Sequence, residues 1–176
     1  MNNAEFFSAM LRSNQGYIVE AIEGLSHAES LLQLPGESNC MNWVLGHIAT
    51  FRDGMLAEVR QAVYMTEAEV KLYDYGSKPI TPESKSVDFE RLVELLTQTH
   101  EAISIWLQSN PDGLEKDTPQ DISSRRGYVG YWDTVAEHFA QNIGHEAIHV
   151  GELSALRELA LVSMGERKNS PSRDGL

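Results

Sequence analysis

The sequence predicts an all-α fold, an antiparallel four-helix bundle with one long connection and a short extra helix. Four long stretches place apolar residues at steps of three and four, and no stretch alternates apolar and polar residues as a half-buried strand does. The chain has 176 residues and 41% hydrophobic content, which fits one domain with a continuous core. We expect this domain over residues 1–164, followed by a disordered tail over residues 165–176.

The first two long helices carry the clearest periodicity. The first is expected over residues 4–24, where one face holds Phe7, Met10, Leu11, Ile18 and Ile22. A short segment over residues 26–34 follows it. The second long helix begins at Ser38 or Asn39, both suitable N-caps, and runs to about residue 64. Its inward face is mainly apolar and consists of Cys40, Val44, His47, Phe51, Gly54, Met55 and Glu58, so the imidazole of His47 requires a partner there.

Three further segments complete the chain. Thr66 and Glu69 match a capping box, which predicts a short extra helix to about residue 73. The third long helix is expected over residues 87–109, and the polar connection over residues 111–127 is expected to be irregular. The last helix, over residues 128–162, is the longest of the four.

Composition excludes several classes of partner. The formal charge of -12 makes nucleic acid an unlikely partner, because a phosphate backbone would be repelled and no Lys/Arg stripe offsets the charge. Cys40 is the only cysteine, which excludes an intramolecular disulfide framework and indicates the cytoplasm. No apolar run approaches the roughly 20 residues of a membrane span, so we expect no membrane partner.

The last helix carries the chemistry. His145 and His149 are four residues apart, so both imidazoles lie on one helix face and can reach the same metal ion. His138 projects along the same line with Asn142 and Glu152 beside it, but it lies roughly 10 Å from His145 along the axis, too far to bind that ion. A second helix must therefore supply a third ligand, and His47 is the best candidate.

Three neutral imidazoles leave a divalent ion with its full charge and an open coordination position, as in catalytic zinc sites. Such an ion lowers the pKa of a bound water or thiol. Three imidazoles also suit nickel, iron or manganese, so the ligand set does not choose the metal.

Two motifs give the chain a family resemblance. Asn42-Trp43-Val-Leu-Gly46-His47-Ile48 and His145-Glu-Ala-Ile-His149-Val-Gly-Glu152 resemble the DinB-like superfamily, and the similarity spans about residues 4–162. The resemblance implies a four-helix bundle of the DinB-like type, a divalent metal at His47, His145 and His149, and frequent homodimers. Some members are transferases or isomerases that use bacillithiol, mycothiol or glutathione-like thiols. This chain has Glu152 where the commonest pattern has Gln.

Three functions remain open at this point. The first is a metal-dependent thiol S-transferase, with a low-molecular-weight thiol as co-substrate and a small electrophilic molecule as substrate. The second is a non-catalytic, stress-related dimeric module that binds a metal or ligand. The third, more remote, is a metalloprotease, because His145-Glu146-x-x-His149 matches the zincin pattern in which the Glu is the general base.

Some residues near the expected site keep two interpretations. His138 is either a residue of the pocket or second shell, or a buried histidine bonded to a neighbouring helix. His100 lies on the inward face of the third helix and is a candidate to line the pocket. Arg125 lies in the connection before the last helix and is a candidate to anchor the carboxylate of an acidic thiol, against an ordinary solvated position.

Overall fold

The structure, a computed structural model, describes residues 2–36, 38–119 and 133–165, together with the backbone of residues 166–169. Within these ranges the chain forms six α-helices and one 3₁₀ turn over Pro111–Glu115, and no β-strand. The helices are α1 (Asn3–Ile22), α2 (His27–Ser30), α3 (Met41–Glu58), α4 (Glu67–Tyr73), α5 (Phe89–Ser109) and α6 (Val135–Asn169). The predicted all-α bundle, with four long helices and a short extra one, is confirmed.

Capping boxes start four of the helices, α1, α2, α4 and α6. At α4, Thr66 accepts a hydrogen bond from the backbone N–H of Glu69, whose carboxylate accepts one from the N–H of Thr66. The predicted capping box is therefore present. The same exchange joins Thr134 and Glu137 at the first turn of α6. Each box satisfies donors that a helix N-terminus leaves without partners inside the helix.

The predicted bounds of the second long helix were wrong at both ends. Helix α3 begins after Cys40, which is the N-cap residue in extended conformation, rather than after Ser38 or Asn39. It ends at Glu58, because Arg60 adopts a positive φ of 57°. The carboxylate of Asp53 then accepts hydrogen bonds from the backbone N–H groups of Tyr64 and Met65, which holds the following segment against α3.

The first and last residues of two other long helices also differ from the prediction. Helix α5 begins two residues later than expected, at Phe89. Helix α6 begins at Val135 instead of residue 128, and it continues to Asn169, beyond the expected end at residue 162. Residues 165–169, which were assigned to the tail, are therefore helical in the structure. Residues 120–132 and 170–176 lie outside the described residues, and the division into domain and tail stays a prediction.

Hydrogen bonds between helices fix their directions. Asn14 donates to the carbonyl of Ile143, and Arg157 donates to the carbonyl of Ala21, so α1 and α6 run in the same direction. Asn42 donates to the carbonyl of Val87 and Arg52 to that of Leu96, so α3 and α5 also share a direction. Contacts between α3 and α6 run the opposite way, from Glu58 with His138 to His47 with His149. The bundle thus has two parallel pairs that are antiparallel to each other.

Helix α3 is the most buried helix of the bundle. Every one of its residues is buried except Phe51 and Ala57. It packs against α4, α5 and α6. Polar residues of α3 such as His47 and Arg52 are therefore buried, and each needs a specific partner.

None of the helices in the described part of the chain combines the length and the apolar character needed to cross a membrane.

Candidate metal centre

Helices α3 and α6 bring three histidines together. One ring nitrogen of His47, one of His145 and one of His149 all lie within 4.8 Å of one another, in a group that could hold a metal ion. The Nε2 atoms of His145 and His149 are 3.1 Å apart. Two nitrogen ligands of a tetrahedral zinc ion are about 3.3 Å apart when each Zn–N bond is about 2.0–2.1 Å. The Nε2 atoms of His145 and His149 therefore lie near the spacing that a bound ion requires.

The opposite ring nitrogens of two of these histidines are held by hydrogen bonds. Nδ1 of His47 lies 2.6 Å from the backbone carbonyl oxygen of Tyr73. Nδ1 of His149 lies 2.8 Å from a carboxylate oxygen of Glu152. Because both oxygens can only accept, each Nδ1 carries the proton and each Nε2 keeps its lone pair free for a metal. Such outer hydrogen bonds set the tautomer and the ring orientation in metal sites.

Burial favours the neutral form of two of the three histidines, His47 and His145. Burial lowers the pKa of His47 to about 4, against the smaller opposing effect of its hydrogen bond to Tyr73. Burial, followed by the neighbouring His149, also lowers the pKa of His145. Metal binding requires neutral imidazole, so neither of these two histidines must lose a proton before it can ligate an ion near neutral pH.

Two aromatic rings flank His47. The indole of Trp43 stacks on the imidazole with ring centroids 4.5 Å apart and an angle of 17° between the planes. The ring of Phe51 lies on another side, 4.6 Å from His47 and 4.9 Å from His145. The indole N–H of Trp43 donates to the hydroxyl of Ser77 over 2.9 Å. These contacts restrict the rotation of His47 and surround the three imidazoles with apolar surface.

The motif around His47 is explained by how α4 packs. A Cβ atom added to Gly46 would lie 2.4 Å from the ring of Tyr73, so only glycine allows this ring against α3. The Tyr73 hydroxyl donates to the side-chain oxygen of Asn42 over 2.8 Å and accepts from the N–H of Val87 over 2.8 Å. Burial raises the pKa of Tyr73 to about 12, so the phenol stays protonated as a donor. These hydrogen bonds hold the ring of Tyr73 in place, and the backbone carbonyl of the same residue accepts the hydrogen bond from His47.

The structure does not place Glu146 beside the three histidines as a general base. Its two carboxylate oxygens accept hydrogen bonds from Nε and Nη2 of Arg52, both over 2.8 Å. Both side chains are buried, with Arg52 0% and Glu146 5% exposed. A general base needs a free oxygen close to the reacting water. The bidentate ion pair holds both oxygens of Glu146 against the core, which argues against the zincin interpretation.

Other sequence-predicted residues lie farther from the three histidines. The Nδ1 atom of His138 bonds to the carboxylate of Glu58 on α3, so His138 is tied to a neighbouring helix rather than joined to the group. Asn142 is buried on α6 between His138 and His145. His100 lies on α5 near Arg52, and its pKa is lowered, first by burial and then by that guanidinium. Arg125 lies outside the described residues.

Comparison with known proteins agrees with this architecture. A sequence model of the DinB superfamily matches residues 10–153 of the chain. The chain belongs to the DinB superfamily. A crystal structure titled as the conserved protein of locus from Enterococcus faecalis is similar in fold, with a TM-score of 0.64 and 14% sequence identity. The similarity covers 92% of this chain and 98% of that one. A comparison with curated proteins gives no match.

Sequence reasoning missed two features of this DinB protein that support its histidines. The carbonyl of Tyr73 is a backbone group, so no side-chain pattern could indicate it. Arg52 lies only five residues after His47, within a helix that was expected to be mainly apolar on its inward face. A charged residue inside such a helix was a readable signal, but its partner Glu146 is distant in sequence and was assigned to a different motif.

Proposed function

We propose that this DinB protein binds one divalent transition-metal ion through Nε2 of His47, His145 and His149. One observation carries the proposal: three imidazoles from two helices converge within 4.8 Å, in an arrangement that could hold an ion. An ion would satisfy all three lone pairs at once.

We infer further that the ion serves catalysis, in a metal-dependent transferase that joins a low-molecular-weight thiol to a small electrophilic molecule. In this reaction a sulfur–carbon bond forms, the bond from carbon to the leaving group breaks, and the thiol proton leaves with the leaving group. Bound to three neutral ligands, a divalent ion supplies a positive charge that lowers the pKa of a coordinated thiol or water. The support is the ligand set, which holds no carboxylate or thiolate to reduce that charge.

The residues of the chain have separate tasks in this proposal. His47 and His149 are oriented by Tyr73 and Glu152, and they keep their proton on Nδ1. Trp43 and Phe51 exclude water from one side of His47 and offer apolar surface to a substrate. Glu152 is half exposed, with 49% of its side chain accessible, so solvent reaches this carboxylate.

Metal analysis of tag-free protein tests the first proposal. We expect about one divalent ion per chain in the wild type and a loss of most of it in both His47→Ala and His145→Ala, because each substitution removes one of three ligands. His27→Ala, on α2, is the matched control and should retain the ion. Wild-type protein that neither contains nor takes up Zn²⁺, Ni²⁺, Fe²⁺ or Mn²⁺ would contradict metal binding.

A second assay tests the transferase. The metal-loaded protein is incubated with bacillithiol, mycothiol and glutathione, each with a panel of small electrophiles, and thioether formation is followed. We expect turnover with at least one pair and its loss in His149→Ala.

A non-catalytic metal-binding module is the alternative, because the carboxylate within the His-x-x-x-His motif is engaged by Arg52 and cannot act as a base. Metal binding without turnover across the panel would favour this module.

A further inference from the structure

One guanidinium on α3 contacts the other three long helices of the bundle. Arg52 of α3 donates from Nε and Nη2 to the two carboxylate oxygens of Glu146 on α6, each over 2.8 Å. Its Nη1 donates to the side-chain oxygen of Gln15 on α1 over 2.7 Å and to the carbonyl of Leu96 on α5 over 2.9 Å. A single side chain thus joins the helices at the same level of the bundle.

This level is next to the three histidines. Arg52 follows His47 on α3 by five residues, and Glu146 lies between His145 and His149 on α6. Neighbouring positions of a helix project about 100° apart, so Glu146 points to the bundle axis while His145 points to His47. The ion pair and the histidine group are therefore two contacts between the same two helices.

Apolar packing alone does not fix how two helices align along their axes, because hydrophobic contacts are not directional. Moving α6 by one residue would shift its side chains by about 1.5 Å and turn them by about 100°. That shift would separate His145 and His149 from His47. A bidentate pair between a guanidinium and a carboxylate is satisfied only in one planar arrangement, so it tolerates no such shift.

The energetics of buried ion pairs agree with a role in alignment. A buried pair is a weak source of stability, since apolar side chains of similar size often replace it without loss. Its best-supported use is to select one register among several.

We propose that Arg52 and Glu146 are positioning residues, whose bidentate pair sets the register of α3 and α6 at which the Nε2 atoms of His47, His145 and His149 converge. This inference rests on the proposed metal binding. Removing the pair while preserving the apolar core therefore weakens metal binding, even where the protein remains folded. Outer-shell changes of this kind reduce metal affinity by about 10–100-fold.

The test uses Co²⁺ as the probe, because its visible absorption reports the number and geometry of the ligands. The full chain is prepared as wild type, as the double variant Arg52→Met/Glu146→Met and as Arg52→Lys. We expect Co²⁺ affinity to fall by about 10–100-fold in the double variant, with weaker and shifted absorption bands. Arg52→Lys keeps the charge but loses the bidentate geometry, so its loss of affinity should be smaller.

Leu107→Ala is the matched control, because Leu107 is a fully buried residue of α5 that takes no part in the hydrogen bonds of Arg52 described above. Urea unfolding of the metal-free proteins measures the stability of each variant. A double variant that binds Co²⁺ as tightly as the wild type, with the same spectrum, would overturn the inference. An equal loss of Co²⁺ affinity in Leu107→Ala at matched stability would overturn it too, since any loss of core packing would then weaken metal binding as much.

Two further outcomes are decisive. If the double variant does not fold, Arg52→Lys decides alone, and unchanged Co²⁺ affinity and spectrum in that variant contradict the positioning role. If the wild type itself does not bind Co²⁺ or any other divalent ion, the proposed metal binding fails first, and the inference falls with it.

Discussion

Nδ1 of His47 donates its hydrogen bond to the backbone carbonyl of Tyr73 over 2.6 Å, so α4 orients a ligand candidate that α3 carries. The carbonyl can do this only while the Tyr73 ring rests on Gly46, one residue before His47. The short helix α4 is therefore part of the candidate metal centre. Substitutions at its contact with α3 should change the position of the His47 imidazole.

Gly46→Ala tests this contact. The new methyl group would lie 2.4 Å from the Tyr73 ring, which Asn42 and Val87 prevent from moving freely. We expect the free energy of unfolding to fall by about 1–3 kcal/mol, as for other overpacked positions, and metal affinity to fall because the Tyr73 carbonyl is displaced. Urea unfolding and metal titration measure the two effects.

Gly16→Ala is the control for that experiment, because a Cβ atom at Gly16 of α1 would meet nothing within 4 Å. In a helix this substitution should stabilise the protein by about 0.4–1 kcal/mol and leave metal binding unchanged. Gly46→Ala protein with wild-type stability and affinity would show that the ring of Tyr73 does not constrain His47.

Tyr73→Phe separates the two roles of Tyr73. The substitution removes the hydroxyl that joins Asn42 to Val87 but keeps the ring and the backbone carbonyl. We expect a loss of about 1–3 kcal/mol in stability, because the N–H of Val87 loses its hydrogen-bond partner in a partly buried site. Metal affinity should change little, since the carbonyl still accepts from His47. A large loss of affinity would indicate that the hydroxyl, and not the carbonyl alone, determines the position of His47.

Glu152 offers a graded test of the outer hydrogen bonds. Glu152→Ala removes the oxygen that accepts from Nδ1 of His149 over 2.8 Å, so metal affinity should fall by about 10–100-fold. Glu152→Gln keeps an accepting oxygen without the charge, so we expect a smaller loss. Glu158→Gln, on an exposed position of the same helix, is the control for charge and should bind as the wild type does. Equal affinities in Glu152→Ala and wild type would exclude an orienting role for this carboxylate.

His138 should matter for stability rather than for metal binding. Its imidazole bonds to the carboxylate of Glu58, whose side chain is fully buried and whose second oxygen, Oε1, has no hydrogen-bond partner in the described part of the chain. His138→Ala would leave the whole carboxylate without that partner, at a cost of about 1–3 kcal/mol or more in stability. Metal content should stay at the wild-type value. A metal content that falls with His138→Ala would instead place His138 in the outer shell of the ion.

The positions of most helices could be predicted from the sequence, because they depend on residues that are close together in the chain. Steps of three and four between apolar residues place the four long helices, and the Thr66 and Glu69 pattern starts the short one where expected. The same pattern at Thr134 and Glu137 marks the start of α6, so the predicted start at residue 128 overlooked a signal already used elsewhere in the chain.

The rest of the site depends on contacts between distant segments. The spacing of His145 and His149 predicts a shared helix face, but that Arg52 meets Glu146 depends on how α3 and α6 pack. Helix α3 is buried on nearly all sides because α4, α5 and α6 all pack against it. A single amphipathic stripe cannot indicate burial on nearly all sides, which is why Arg52, bonded to groups of α1, α5 and α6, was not expected inside.

The lowered pKa of His47 gives the last prediction, which concerns the metal-free protein. Folded His47 has a pKa of about 4, whereas in the unfolded chain it returns to its usual value near 6.5. Between these two values the unfolded state binds more protons, so the free energy of unfolding rises with pH. This contribution is complete above about pH 6.5 and is lost as the pH falls toward 4, by about 3 kcal/mol in total.

Urea unfolding in the presence of a chelator, from pH 4 to pH 8, measures how steeply the free energy of unfolding rises with pH. His47→Gln should make this dependence less steep, because glutamine does not titrate. Equal slopes in the two proteins would show that His47 is as easily protonated in the folded protein as in the unfolded chain. The structure argues against that result, because the imidazole of His47 is buried between Trp43, Phe51 and two further histidines.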